Sequence, residues 1–392
     1  MTIAAPLWST LPVPPTELCL DKVLRCGQSF RWKLSAPNEW TCTLRGRVVT
    51  LQQEPSHIKY RAVFPPGRSD STTPTNDDTE ELLRDYFNLS VNLEALYSHW
   101  SSVDPNFLKK STTFAGIRIL RQDPWENVVS FICSSNNNIS RISQMVNNLC
   151  LHFGPHLATI DSIDYHDFPE PSALAVPGVE QRLRELGFGY RAKYIAKAAL
   201  LVANERVPGW LNSLRKVSYR EAHDTLLELP GVGPKVADCV CLMSLDKPGA
   251  LPVDTHVWQI AQRDYKFKGV KGKTLNKTTY DAIGDHFRKL WGEEAGWAHS
   301  VLFTADLKAF SEVKNETTVV STKAVLTAQV ETLMQNTSIK QEQSMMTAET
   351  SRKRVKREDV EEKEGEKEIN DGVAETSSLV DRIKRRRRSG RS

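Results

Sequence analysis

The chain has 392 residues, 40% of them hydrophobic, and a formal net charge of +4. Such a length suits two or three domains. No apolar run approaches the roughly 20 residues of a membrane-spanning helix, so no membrane partner is expected. So small a net charge excludes a bulk polycation, and any groove for nucleic acid must be local.

Residues 1–16 are Pro-rich and read as a loose lead-in. From Leu18 onward, short β-rich runs are separated by turn signals: SFRWKL, EWTCTLRGRVVTLQQ and HIKYRAVF. They predict an antiparallel sheet in a first domain over 17–122. Pro65–Asp78, PPGRSDSTTPTNDD, reads as a polar surface loop. Linking helices begin near Glu80 with LLRDYF and continue through Leu93–Trp100.

A second, all-helical domain is expected over 123–310. Asp123–Pro124 is a helix start, followed by Trp125, Val128, Val129 and Ile132 at helical spacing. That helix stops in SSNNN, Ser134–Asn138. Ile139, Ile142, Val146, Leu149 and Phe153 mark the next, and Leu183–Tyr194 leads into another. Tyr280, Ile283, Phe287 and Leu290 mark a late helix, and Ala298, Val301, Leu302 and Ala305 the last. The fold class is therefore α+β, a sheet domain followed by a helical one.

All 31 aromatic residues lie at or before Phe310. Beyond it there is no Phe, Trp, Tyr, Cys or Pro, so a disordered charged tail is expected over 311–392. Its clusters RKRVKR and RIKRRRR fit nuclear import or nonspecific DNA contact. Seven Cys without a C-x-x-C pair, and no secretory signal, fit reduced thiols in the cytosol or nucleus. There is no Arg-rich amphipathic transit segment.

The densest signal is LPGVGPKVADCVCLM, Leu229–Met243. Pro and two Gly make a tight turn, and Pro234 can open a helix. Ala222, Leu226 and Leu229 predict a helix before it; Val236, Val240 and Met243 predict one after it. The unit is helix, Gly-rich hairpin, helix. Gly231 and Gly233 leave backbone N–H groups bare at a helix N-terminus, where a phosphate can sit. Lys235 stands beside that place, with Cys239 one turn on. PVDTHVW then puts Asp254 at the next helix start. An amine and a carboxylate so placed can serve as a nucleophile and its partner. Plainer readings stay open: Lys235 as a phosphate neutraliser, Asp254 as an ordinary N-cap.

LPGVGPKVADC, PVDTHVWQIAQRDY and RCGQSFRW together resemble the helix–hairpin–helix DNA glycosylases with a Gly/Pro-rich loop and an Asp. Within these, the chain looks most like the eukaryotic 8-oxoguanine DNA glycosylase/AP lyases. No Cys follows Cys241, which argues against the iron–sulfur branch of that superfamily.

The resemblance implies excision of 8-oxoguanine opposite cytosine in damaged duplex DNA, by Lys235 attack, a Schiff base and β-elimination. Asp254 would stabilise positive charge on the sugar. No metal and no organic cofactor is called for. The lesion must leave the stack to be reached. Asn136, Arg141 and Arg191 would read the estranged cytosine, with Tyr190 wedged beside it. Gly231, Gly233 and His256 would contact the DNA backbone. Gly27 would offer a carbonyl to the extra N–H of 8-oxoguanine, and Phe303 would stack on the base. Cys239, Met243 and Pro252 would line the pocket. Where the family usually has Gln, this chain has His299. A neutral His offers one donor and one acceptor, and would titrate near about pH 6.5 if unperturbed. Lesion recognition is then expected to vary between roughly pH 5.5 and 7.5.

Each of these also has a structural reading: a β-edge glycine for Gly27, core for Phe303, Met243, Pro252 and Cys239, a helix-ending turn for SSNNN, a solvated residue for His256. A monomer is expected, in the nucleus, with a mitochondrial fraction left open. Two other functions compete: a noncatalytic helix–hairpin–helix DNA-binding module, and a monofunctional alkylbase glycosylase. Enzymes of the latter kind keep the Asp but lack the lysine.

Overall fold

The computed structural model describes residues 7–65, 77–268 and 275–311. The charged tail with its two basic clusters lies outside the described residues, as does most of the Pro65–Asp78 loop.

The sheet is built from β1 (Ser9–Leu11), β2 (Lys33–Ala36), β3 (Glu39–Leu44), β4 (Arg47–Gln53) and β5 (Ile58–Val63), in the order β1-β5-β4-β3-β2, antiparallel throughout. Arg45 and Gly46, both at positive φ, close the β3–β4 hairpin. That conformation matches the twist of the strands they join. A short helix α1 (Leu20–Val23) precedes β2.

The helical part contains α2 (Thr79–Tyr86), α3 (Leu93–Val103), α4 (Pro105–Ser111), α5 (Pro124–Ser134), α6 (Ile139–Phe153), then a hairpin of β6 (His156–Ile160) and β7 (Ile163–His166). It continues with α7 (Val179–Glu185), α8 (Arg191–Leu200), α9 (Trp210–Ser213), α10 (Tyr219–Leu226), α11 (Pro234–Ser244), α12 (Thr255–Tyr265), α13 (Lys277–Trp291) and α14 (Ala295–Asp306). Starts are fixed by side-chain caps: Asn92, Asp104, Asp123, Asn138, Ser218, Asp254 and Asn276 each accept a backbone N–H of the following turn.

The structure departs from the sequence reading in three places. The Pro-rich lead-in is not loose from residue 9: β1 pairs with β5, and Leu11 and Val13 are buried under the sheet. The second domain is not all-helical: β6 and β7 form a two-stranded hairpin whose turn residues Asp161 and Ser162 both have positive φ. Leu157 and Ala158 of that hairpin pack on Val48 of β4. That cover explains why β3 and β4 are buried nearly throughout rather than on alternate residues. Lastly, α3 and α4 bury Leu93, Tyr97, Trp100 and Phe107 in the helical core, although the sequence grouped them with the sheet.

Two helices are buried almost all round. Apart from Glu126, Trp125 to Cys133 of α5 and Val236 to Ser244 of α11 are buried, and the two helices lie against each other. A helix with no solvent face is core; its start is then the place where chemistry can meet solvent.

Candidate active site

The turn between α10 and α11 brings the Lys235 segment to the surface. Gly231 has φ +87°, and a Cβ there would fall 2.7 Å from the Cβ of Tyr194 on α8. Conformation and close approach both require glycine at that point. Gly233 is extended, with open space where a side chain would be. It caps α11 without a side-chain bond, so the first N–H groups of the helix stay available. Pro234 opens the helix as expected.

Lys235 Nζ lies 4.9 Å from the centre of the Phe131 ring and 3.4 Å from Ser134 Oγ. Both partners belong to the end of α5. Asp254 caps α12, its Oδ1 accepting the Val257 N–H at 2.9 Å. The cap reading of Asp254 therefore holds, and its other oxygen is left for further work.

One cavity of about 50 Å³ gathers the residues singled out on separate stretches: Gly27, Lys235, Cys239, Met243, Pro252, Asp254, His299 and Phe303. Cys26, Gln28, Phe131, Leu242, Ser300 and Thr304 complete its wall. These six were missed. Gln28 had a signal, because it follows Gly27 in RCGQSFRW. It is buried and pins the loop: its amide donates to Arg118 O at 2.8 Å and accepts Leu120 N at 3.0 Å. Gly27 lies at φ +85° in that loop, ahead of β2 rather than in an edge strand. The edge-glycine reading is thus replaced by a turn that only glycine enters freely.

Burial pushes the Cys239 thiol up to about 11, with Lys235 pulling the other way. His299 is 7% exposed, and neither ring nitrogen has a partner. Burial pushes its pKa down to about 4, against the pull of Asp254. The ring is therefore neutral at physiological pH, and the sequence expectation of titration near pH 6.5 fails for lack of solvent. Phe303 is half-buried, its ring 6.2 Å from that of His299 and edge-on to that of His256 at 6.3 Å. His256 is exposed beside the cavity rather than in its wall.

A second group forms around the turn after α5. Tyr190 Oη donates to Ser135 O at 3.1 Å, and Arg191 Nη2 donates to the carbonyls of Ser135 and Asn136. Arg191 is buried, with its Cζ 4.6 Å from the Tyr190 ring, which is 51% exposed. Asn136 is exposed at φ +47°. Arg141 is exposed one turn into α6, where Asn138 caps its N–H at 3.0 Å. The structure thus brings Asn136, Tyr190 and Arg191 together and leaves Arg141 free beside them.

A larger cavity, about 460 Å³, lies away from this site, lined by Arg31, Glu126, Asp167 and Trp210 among others. Its buried Arg31 already pairs with Glu126 at 2.7 Å and Asp167 at 3.2 Å.

Two family models match the chain: 8-oxoguanine DNA glycosylase, N-terminal domain, over residues 10–128, and HhH-GPD superfamily base excision DNA repair protein, over 129–283. An N-glycosylase/DNA lyase of Saccharomyces cerevisiae is 41% identical over 330 residues, 76% of this chain and 85% of the relative. The N-glycosylase/DNA lyase OGG1 of Arabidopsis thaliana is 41% identical over 310 residues, covering 78% and 81%. Among solved structures, the 8-oxoguanine glycosylase/lyase of Clostridium acetobutylicum, in complex with double-stranded DNA containing cytosine opposite the lesion, superposes with a TM-score of 0.64. It is 28% identical and covers 77% of this chain and 98% of that one. With both parts of the body matched, and identity sustained over most of each relative, the chain belongs to the 8-oxoguanine DNA glycosylase family of the HhH-GPD superfamily.

Proposed function

We propose that this protein is a bifunctional DNA glycosylase/AP lyase that excises 8-oxoguanine opposite cytosine from duplex DNA. One observation carries the reading: Lys235 and Asp254, at the starts of successive helices, line the same cavity as Gly27, His299 and Phe303.

The chemistry follows from the groups present. The Lys235 amine attacks C1′ of the extruded nucleotide, and the glycosidic bond breaks with its electron pair leaving on the base. The base takes up a proton; the amine gives one up and becomes a Schiff base with the opened sugar. The imine acidifies C2′, whose proton is lost as the C3′–O bond breaks. Asp254 offers negative charge to the cationic sugar in the first step. An amine attacks only when neutral.

The cavity is small, about 50 Å³, and Phe303 is a partly exposed ring in its wall. Inside, the neutral His299 ring has one donor and one acceptor unspent, as the edge of an oxopurine requires. In this reading Asn136, Tyr190, Arg191 and Arg141 would hold the orphaned cytosine, supported by the grouping of Asn136, Tyr190 and Arg191 at the turn after α5. The N–H groups at Gly231 and Gly233 and the exposed His256 would contact the DNA backbone.

Borohydride trapping on an 8-oxoguanine duplex tests the reading. Lys235→Gln is expected to abolish the covalent complex while duplex affinity stays near that of the parent. Trapping of the variant at parental levels would overturn it. The lysine also speaks against a monofunctional alkylbase glycosylase, which has no use for a nucleophilic amine. The enzyme acts as a monomer in this reading, in the nucleus, where the basic clusters would direct it. Removing 311–392 should then reduce nuclear accumulation; unchanged accumulation would refute that assignment.

A further inference from the structure

Asp238 is a buried titratable group that the chemistry above leaves idle. It lies on α11, one turn after Lys235, and its side chain has no exposed surface. A carboxylate at that depth is costly unless donors surround it. Burial pushes its pKa up, against the donors and charges that favour the anion. Tyr219 of α10 donates to Oδ1 at 2.5 Å, and Tyr280 of α13 donates to Oδ2. His223 Nε2 stands 3.9 Å from Oδ1. Well-packed apolar side chains would join the three helices at least as firmly, so cohesion alone does not explain this group.

A phenol has one hydrogen to give. Tyr280 gives it to Asp238 in preference to Leu251 O, which is 3.5 Å away. Its oxygen is then free to accept, and it takes the Val253 N–H at 3.3 Å. Val253 immediately precedes Asp254. Pro252 has no N–H, and Asp254 Oδ1 is occupied by its own helix. The Val253 N–H is therefore a backbone anchor next to Asp254, on the side opposite the Trp258 N–H bond to the Asp254 carbonyl, and its acceptor is oriented by a carboxylate on the lysine's helix.

We propose that Tyr280, oriented by Asp238, is a positioning residue that fixes Asp254 relative to Lys235 for base excision. The proposal rests on the reading of Lys235 and Asp254 as the reacting pair. A misplacement of about 1 Å near reacting groups can cost on the order of 100-fold in rate.

The test is a double-mutant cycle in the full-length chain, read by single-turnover base release at saturating enzyme. Tyr280→Phe keeps the ring and removes the oxygen. It should slow base release about tenfold with duplex affinity unchanged, part of what full misplacement costs. In an Asp254→Asn background the same substitution should change the rate less than about twofold, because residues acting through one another are not additive. Asp238→Asn, close in volume, should give the same pattern and serves if Tyr280→Phe does not fold. A parental rate for the single variants, or equal slowing in both backgrounds, overturns the proposal. Lys235→Gln and Asp254→Asn run alongside separate the two levels. If Lys235→Gln still traps, or Asp254→Asn releases base at the parental rate, the reacting pair itself is misassigned. If both are impaired and Tyr280→Phe is not, only the positioning role fails.

Discussion

Replacing His299 by Gln should make this protein relatively more stable in acid, because burial lowers the pKa of the ring. The ring is buried with both nitrogens unpartnered, and its pKa falls from 6.5 to about 4. As pH drops, the unfolded chain takes up this proton near pH 6.5, while the folded chain refuses it until about 4. Stability from the neutral ring is therefore complete above pH 6.5 and is lost progressively as pH falls toward 4. Each pH unit within that window is worth about 1.4 kcal/mol, so the full descent removes about 3 kcal/mol. A Gln amide never titrates yet still offers a donor and an acceptor. Urea unfolding of both chains at pH 7.5 and 4.5 measures the effect, since acid-labile groups distant from His299 cancel in the difference. The gap between the chains should shift by roughly 2–3 kcal/mol in favour of the Gln variant. A gap that is the same at both pH values refutes the reasoning. Lesion binding, by contrast, should show no His299-dependent change between about pH 5.5 and 7.5, because only about 3% of the ring is protonated even at the acid end. This replaces the pH-sensitive recognition expected from the sequence.

Asp254→Asn should slow base release strongly while leaving the melting temperature nearly unchanged, because Asn caps a helix as well as Asp does; parental release with unaltered melting would remove Asp254 from the mechanism. Arg141→Ala and Arg191→Ala should each weaken the preference for cytosine opposite the lesion by about 1–3 kcal/mol, read as relative excision from four duplexes. Only Arg191→Ala should also lower stability, since it alone is buried and bonded to the 135–136 carbonyls. An unchanged ranking of the four opposite bases argues against both.

Much of this was legible because local chemistry and tertiary need coincide. Pro234 after a Gly-rich turn, Asp123 ahead of Pro124 and Asp254 ahead of α12 all do in the fold what their types suggest. The residues gathered in the cavity came from family motifs scattered from Gly27 to Phe303, and no periodicity would have joined them. The β6–β7 hairpin was missed because its turn is Asp-Ser, not the Gly-containing pair that usually marks such turns. β1 was hidden in a Pro-rich stretch, where an edge strand of three residues leaves no pattern. Tyr280 was read only as one of the residues whose spacing marks a late helix. Its hydroxyl matters only through Asp238 and Val253, which lie far from it in sequence.

The turn that closes α5 has two tenants. Ser134 Oγ meets the Lys235 amine, while the next carbonyl, of Ser135, is held by Tyr190 and Arg191. An orphaned base that drew Arg191 toward itself would leave that carbonyl to Tyr190 alone, and a shift of the turn would reach the neighbouring Ser134 hydroxyl. Identity on one strand would thus be reported to the nucleophile on the other, and by linkage the report runs both ways. The enzyme would then check its partner base at the moment of commitment as well as at docking. In the four-duplex series, rate constants should spread more widely than dissociation constants; equal spreads would mean that the two tenants ignore each other.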